Sequence, residues 1–235
     1  EFTAGLILSH FLVPGPPPAL EVSKEKTIFT GPRHPDGTID YITAMNMTLS
    51  EGVTPENNAM VGLVRTMPAE AFPSKQYRAT LYKRLGIERK DDVPRFQTFE
   101  KFAKAQAKAQ DEGEEDKANG REQVPTELPD AVTKGPWQRG DHPLVAKWLE
   151  KNKPALKTIS EAMRKEEAYY PWVTTDPNRS VISVLLPHLS WTRGVGRALT
   201  ARANRTLAKG RPCDAWEHVL TVERMARHIS DDPLL

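Results

Sequence analysis

VGRALTARANRTLAKGRPCDAWEHVLTVERMARHI, residues 195 to 229, is the stretch that decides the fold class. In its first half Leu199, Ala203 and Leu207 recur every four residues. At about 100° per residue that spacing puts them on one side of a helix. Arg197, Arg202, Arg205 and Lys209, with Arg193 just upstream, occupy the other half of the circumference. In the second half Val219, Val222, Met225, Ala226 and Ile229 form a main apolar stripe, and Trp216 and Leu220 lie outside it. Gly210-Arg211-Pro212 separates the halves, with glycine to end one helix and proline to open the next. Two amphipathic helices joined by a tight turn are the expectation. Water disfavours a tryptophan on the face opposite a core stripe, so Trp216 is expected to be covered. The candidates for covering it are Tyr169, Tyr170 and Trp172 of the same chain, or another chain. Trp216, Leu220, Tyr169, Tyr170 and Trp172 are therefore the candidate partner-binding residues.

Helical spacing extends upstream. Ile39, Ile42, Met45 and Leu49 share a face, and Gly52 fits a stop. Thr54-Pro55 reads as the cap and first position of a helix carrying Met60, Val64 and Met67, which Pro68 ends. Ser74 caps a third helix through Tyr77, Leu81 and Leu85, with Gly86 at its end. Thr98 caps a fourth through Phe99, Phe102 and Ala103. Asp141 or His142 opens a helix with Leu144, Val145, Trp148 and Leu149, and Pro154 reads as the start of another with Leu156, Ile159 and Met163. Tyr169-Tyr170-Pro171-Trp172-Val173 is an extended aromatic linker, because a residue before proline avoids the α region. Val181 to Leu186 is a short apolar run that Pro187 kinks or ends. The only short-strand candidate is Thr27 to Thr30, and Pro35-Asp36-Gly37 is a turn. The fold class expected is all-α or predominantly α.

Organisation follows from composition. Residues 1 to 18 contain GLILSHFLV and then Pro14, Pro16, Pro17 and Pro18. Nine apolar residues cannot span a bilayer, which takes about 20. They are read as the exit end of a membrane-anchoring helix followed by a stiff spacer; an apolar arm docked on the domain is the alternative. Residues 19 to 103 form an N-terminal helical subdomain. Residues 104 to 136 are polar and acidic, with too little to bury to offset ordering entropy, and are expected to be flexible. Residues 137 to 235 form a C-terminal helical subdomain, whose abrupt end after Ile229 reads as the end of the domain or of a fragment.

Composition also excludes classes. The 235 residues carry 33 basic and 31 acidic side chains, a net charge of +2, so no overall basic field points to nucleic acid. Twenty prolines, well above the usual ~5%, argue against long strands or a long coiled coil. One cysteine, Cys213, excludes an internal disulfide and a cysteine-rich zinc site. It stands at a helix N-terminus, which lowers a thiol pKa, but it has no local base. The six histidines form no HExxH or HxH pattern, and neither a GxSxG elbow nor a phosphate-cradling glycine loop is present. No catalytic residue, cofactor or metal ligand is assigned. The six basic residues from Arg193 to Arg211 are read as a solvated face or as partners of the acidic 111 to 116 run. An anionic membrane surface comes next and nucleic acid last.

Two resemblances add expectations. Through Ala201, Leu207, Gly210, Ala215 and Trp216 the terminal hairpin is loosely similar to a tetratricopeptide-type hairpin, but as one unit rather than an array. The phrases PDGTIDYITAMN, SEGVTPENNAMV, HPLVAKWLEKNKPAL, YYPWV and ARANRTLAKGRPCDAWEHV resemble a family of bacterial proteins found chiefly in planctomycetes, across most of residues 14 to 229. That resemblance implies a membrane-anchored, extracytoplasmic protein with more chain after the hairpin, and it brings no activity and no catalytic residues. The functional expectation is a non-catalytic interaction or assembly subunit, partnered by another protein or by itself. The alternative is a hydrolase with its site in the cleft between the helical halves.

Overall fold

The structure, a computed structural model, describes residues 22–88, 92–111, 127–176 and 181–230. Among them it is helical: α1 (Lys24–Thr27), α2 (Tyr41–Leu49), α3 (Ala59–Thr66), α4 (Lys75–Arg84), α5 (Phe99–Asp111), α6 (Ala131–Lys134), α7 (Pro143–Ala162), α8 (Pro187–Ala208) and α9 (Pro212–Ser230). The described residues contain no sheet, only isolated bridges joining Arg33 to Ile39 and Asn58 to Glu167. The strand expected at Thr27 to Thr30 does not form: α1 ends at Thr27, Ile28 takes a φ of 63°, and Phe29 and Thr30 are irregular. The expected anchor and spacer lie outside the described residues, as does the acidic run from residue 112 on. No described helix is long and apolar enough to cross a membrane.

Caps explain most boundaries. Asp40 Oδ1 accepts from Thr43 N at 3.0 Å to open α2, and Ser74 Oγ accepts from Tyr77 N at 3.0 Å to open α4. Thr98 Oγ1 accepts from Lys101 N at 3.4 Å at the start of α5. Gly86 (φ 63°) and Gly210 (φ 71°) end α4 and the α8 region in the left-handed conformation that glycine adopts without strain.

Three boundaries differ from those expected. Thr54 caps no helix: Thr54 and Asn57 instead exchange side-chain bonds with each other's backbone N–H at 2.7 and 3.3 Å. The cap of α3 is Asn58, whose Oδ1 accepts from Met60 N at 2.9 Å. Pro154 opens nothing: it sits inside α7, which runs unbroken for 20 residues. Its missing N–H and ring disfavour a helix interior, but Asn152, Ala155, Leu156 and Ile159 around it are all buried, and their packing holds the helix together. Pro187 begins rather than ends an element. It is the first residue of α8, so that helix starts eight residues earlier than the stretch at Val195 suggested.

Buried residues from both halves of the chain make one continuous core. Helix α3 is buried on nearly all sides and packs on α7. The short α6 packs on α8, and α8 packs most extensively on α9. The core centres on aromatic rings meeting edge to face: Phe96 lies 6.0 Å from Trp148 and 5.3 Å from Trp191, and Phe99 lies 5.5 Å from Trp148. Asn152 of α7 fixes the approach to this centre. Its Oδ1 accepts from Gln97 N at 2.7 Å and its Nδ2 donates to Gln97 O at 3.1 Å. The Trp148 indole N–H donates to the same carbonyl at 2.7 Å.

Candidate functional site

The aromatic linker turns inward. Tyr169, Tyr170 and Trp172 are all buried. The linker makes no regular structure, so its backbone groups need partners from elsewhere, and two buried asparagines supply them. Asn46 Oδ1 accepts from Trp172 N at 2.8 Å and from Tyr169 Oη at 2.7 Å, while its Nδ2 donates to Trp172 O at 2.9 Å. Asn58 brackets Tyr169 in the same way, accepting from its N–H at 3.0 Å and donating to its carbonyl at 2.9 Å. Tyr170 stacks on His188 with ring centroids 3.8 Å apart, and its hydroxyl lies 3.4 Å from that of Tyr77. Burial shifts this cluster: Tyr77 and Tyr169 are pushed up to about 12, Tyr170 is raised, and His188 is lowered to about 4. Beside it lies a small, partly open space of about 20 Å³, room for about one water molecule. These side chains do structural work, and Asn46 and Asn58 carry no periodic signal by which sequence reasoning would find them.

Trp216 is not covered by that linker. It is 60% exposed on the outer side of α9, and Leu207 near the end of α8 is 44% exposed. The helix turns Ala215, Thr221, Met225 and His228 inward. Leu220 is half-buried and Ala226 is exposed, so the buried side is rotated from the apolar stripe that spacing alone picks out. At the start of α9 Glu217 pairs with Arg164 at 2.9 Å and Arg211 with Asp214 at 2.6 Å. Cys213 is exposed in the first turn of α9.

The basic residues of α8 do not form one solvated face. Arg205 is buried, its guanidinium 5.8 Å from the Trp137 ring centre, and its Nη1 donates to Glu150 at 2.9 Å. Trp137 in turn donates its indole N–H to Ala201 O at 2.9 Å. Arg202 is held below its ordinary value by burial. Arg193, Arg197 and Lys209 remain exposed.

A groove of about 640 Å³ opens between the two halves, where the hydrolase alternative had placed its cleft. Pro68, Phe96, Pro187 and Trp191 wall it. Arg95 lines it while donating through Nη1 to the carbonyls of Arg65 and of Met67, the latter at 3.2 Å. Lys101 pairs with Glu70 across the exposed rim. Lys151 Nζ sits 5.6 Å from the centre of the Phe102 ring. The helix ends at the groove are N-terminal: Thr98 of the α5 cap, and Pro187 and Ser190 of the first turn of α8. The Trp191 ring is 8% exposed and its indole nitrogen is buried without a hydrogen-bond partner. An unsatisfied buried donor costs about 1–3 kcal/mol.

Among the described residues neither histidine nor cysteine lines the groove, and the one carboxylate, Glu70, is tied to Lys101. Among the described residues no three His, Cys, Asp or Glu side chains come together as a metal site. The chain matches no family model, no curated protein and no solved structure.

Proposed function

We propose that this protein is a non-catalytic interaction or assembly subunit whose contact surface is the outer side of the α8–α9 hairpin, and that it works tethered to a membrane outside the cytoplasm. The observation that carries the contact surface is Trp216, 60% exposed on a 19-residue helix whose other side is packed against α8. Tryptophan is among the commonest anchors of protein interfaces, and a rigid helix offers it without an ordering cost. Leu220, one turn on from Trp216 and partly exposed, extends the apolar surface, and the Arg211–Asp214 and Arg164–Glu217 pairs involve residues adjacent to it on α9. The tether and the compartment rest on the family resemblance and on the apolar stretch before Pro14.

Trp216→Ala tests the surface. The side chain is mostly outside the core, so the isolated protein should lose no more than about 1 kcal/mol of stability. The tagged protein purified from its native membrane should lose its co-purifying chain, or its self-association in sedimentation. Unchanged association with unchanged stability would remove the hairpin surface from the reading.

A further inference from the structure

We propose that the groove between α5, α7 and α8 is a binding site for a small aryl carboxylate, a ligand with a flat apolar body and one anionic end. The inference stands on observations separate from those at Trp216. A volume of about 640 Å³ is within the range of small-molecule sites, roughly 300–1,000 Å³, and too small for a folded partner. The walls suit a ring: Trp191 and Phe96 meet edge to face at 5.3 Å, and Pro68 and Pro187 add flat apolar surface.

Charge supplies the other half of the specificity. Among the described residues Lys101 and Lys151 line the groove against the single carboxylate of Glu70, and Arg95, already engaged elsewhere, adds to the positive field. Glu70 is paired with Lys101, and among the described residues Lys151 has no ion-pair partner, only its approach to the Phe102 ring. The N-terminal ends of α5, 13 residues, and α8, 22 residues, add their partial positive charge at the same opening. No side chain caps the start of α8. The arrangement therefore favours an anion held by Lys151 over a neutral molecule or a cation.

The indole of Trp191, which lines the groove, is the natural reporter of an occupant. Trp137 and Trp148 each pair the indole nitrogen with a backbone carbonyl, at 2.9 and 2.7 Å. Trp191 is somewhat less buried, lines the groove and makes no such bond. Its nitrogen is itself buried, so an occupant of the groove meets the carbon face and edge of the ring.

The experiment uses the full 235-residue chain labelled with ¹⁵N, 1-naphthylacetate as probe, and 1-naphthylacetamide as its neutral isostere. The Trp191 indole resonance is assigned with Trp191→Phe. Naphthylacetate should shift that resonance saturably while those of Trp137 and Trp216 stay in place, and the amide should bind about tenfold more weakly or worse. Lys151→Met, which keeps the aliphatic stem and the fold, should bring the acid down to the affinity of the amide. Equal affinity for acid and amide, undiminished binding to Lys151→Met, or no movement of Trp191 at millimolar acid would each overturn the proposal. So would an acidic aromatic peptide binding there more tightly than naphthylacetate, because the occupant would then be a protein segment.

Discussion

Gly62→Ala probes the contact that fixes how closely α3 approaches α7. A Cβ placed on Gly62 would lie 2.3 Å from Ala162 Cβ and 3.6 Å from Thr158 O. Ordinary contact begins near 3.4 Å, and Ala162 Cβ, bonded directly to the helix backbone, has no rotamer that moves it away. The helices must therefore separate by about 1 Å, and a gap of that size forfeits a quarter to a half of each dispersion contact along the interface. Overpacking of this kind costs about 1–3 kcal/mol or more. Alanine returns about 0.5–1 kcal/mol through its better helix propensity. The expected net loss is about 2 kcal/mol, a fall in Tm of about 4–8 °C for a chain of this length. Ala162→Gly in the same molecule removes the clash and should recover all but about 1 kcal/mol, giving a coupling of at least about 1 kcal/mol in the double-mutant cycle. Chemical denaturation of the four proteins measures it. A neutral or stabilising Gly62→Ala, or strictly additive effects, would refute the close-approach argument. The contact also bears on the groove: Pro68 follows α3 directly and Lys151 stands on α7, so the single variant should weaken naphthylacetate binding as well.

Asn46→Ala removes its three bonds to the buried Trp172 N, Trp172 O and Tyr169 hydroxyl. At about 1–3 kcal/mol for each buried group that loses this bond, with partial relaxation, the expected loss is about 3–5 kcal/mol, read as a shift in the denaturation midpoint without a change in slope. A loss below about 1 kcal/mol would mean that the linker is not held by this side chain. His188 is lowered by burial from 6.5 to about 4, so as pH falls the unfolded chain takes up its proton first. Stability from this group is complete above pH 6.5 and is lost as pH falls towards 4, at up to about 1.4 kcal/mol per pH unit. His188→Phe, which keeps a ring against Tyr170, should remove that slope from stability measured between pH 7 and 4. His218, also lowered to about 4 but less buried, leaves a smaller residual slope. An unaltered pH profile would show that His188 does not titrate on unfolding.

Much of the helical architecture was settled by the sequence alone, because its signals are local. A helix needs an apolar residue every three or four positions, a cap three residues from the N–H it binds, and a glycine where φ turns positive. Ser74, Thr98, Gly86 and Gly210 act within one turn of their own helices. The hairpin of α8 and α9 was legible for the same reason.

Tertiary structure decided the rest. Asn46 bonds Trp172 at a separation of 126 residues, Asn58 bonds Tyr169 at 111, and Asn152 bonds Gln97 at 55. A polar residue that will be satisfied across such distances looks, along the chain, like any surface asparagine, so the linker it buries looked like a candidate contact surface. Pro154 reads locally as a breaker, and only the buried side chains on either side of it carry α7 through. The groove has the same origin. Its lysines stand on α5 and α7 and its tryptophan on α8, and no spacing within one segment records that the packing of α3 and α5 on α7 brings them to one opening.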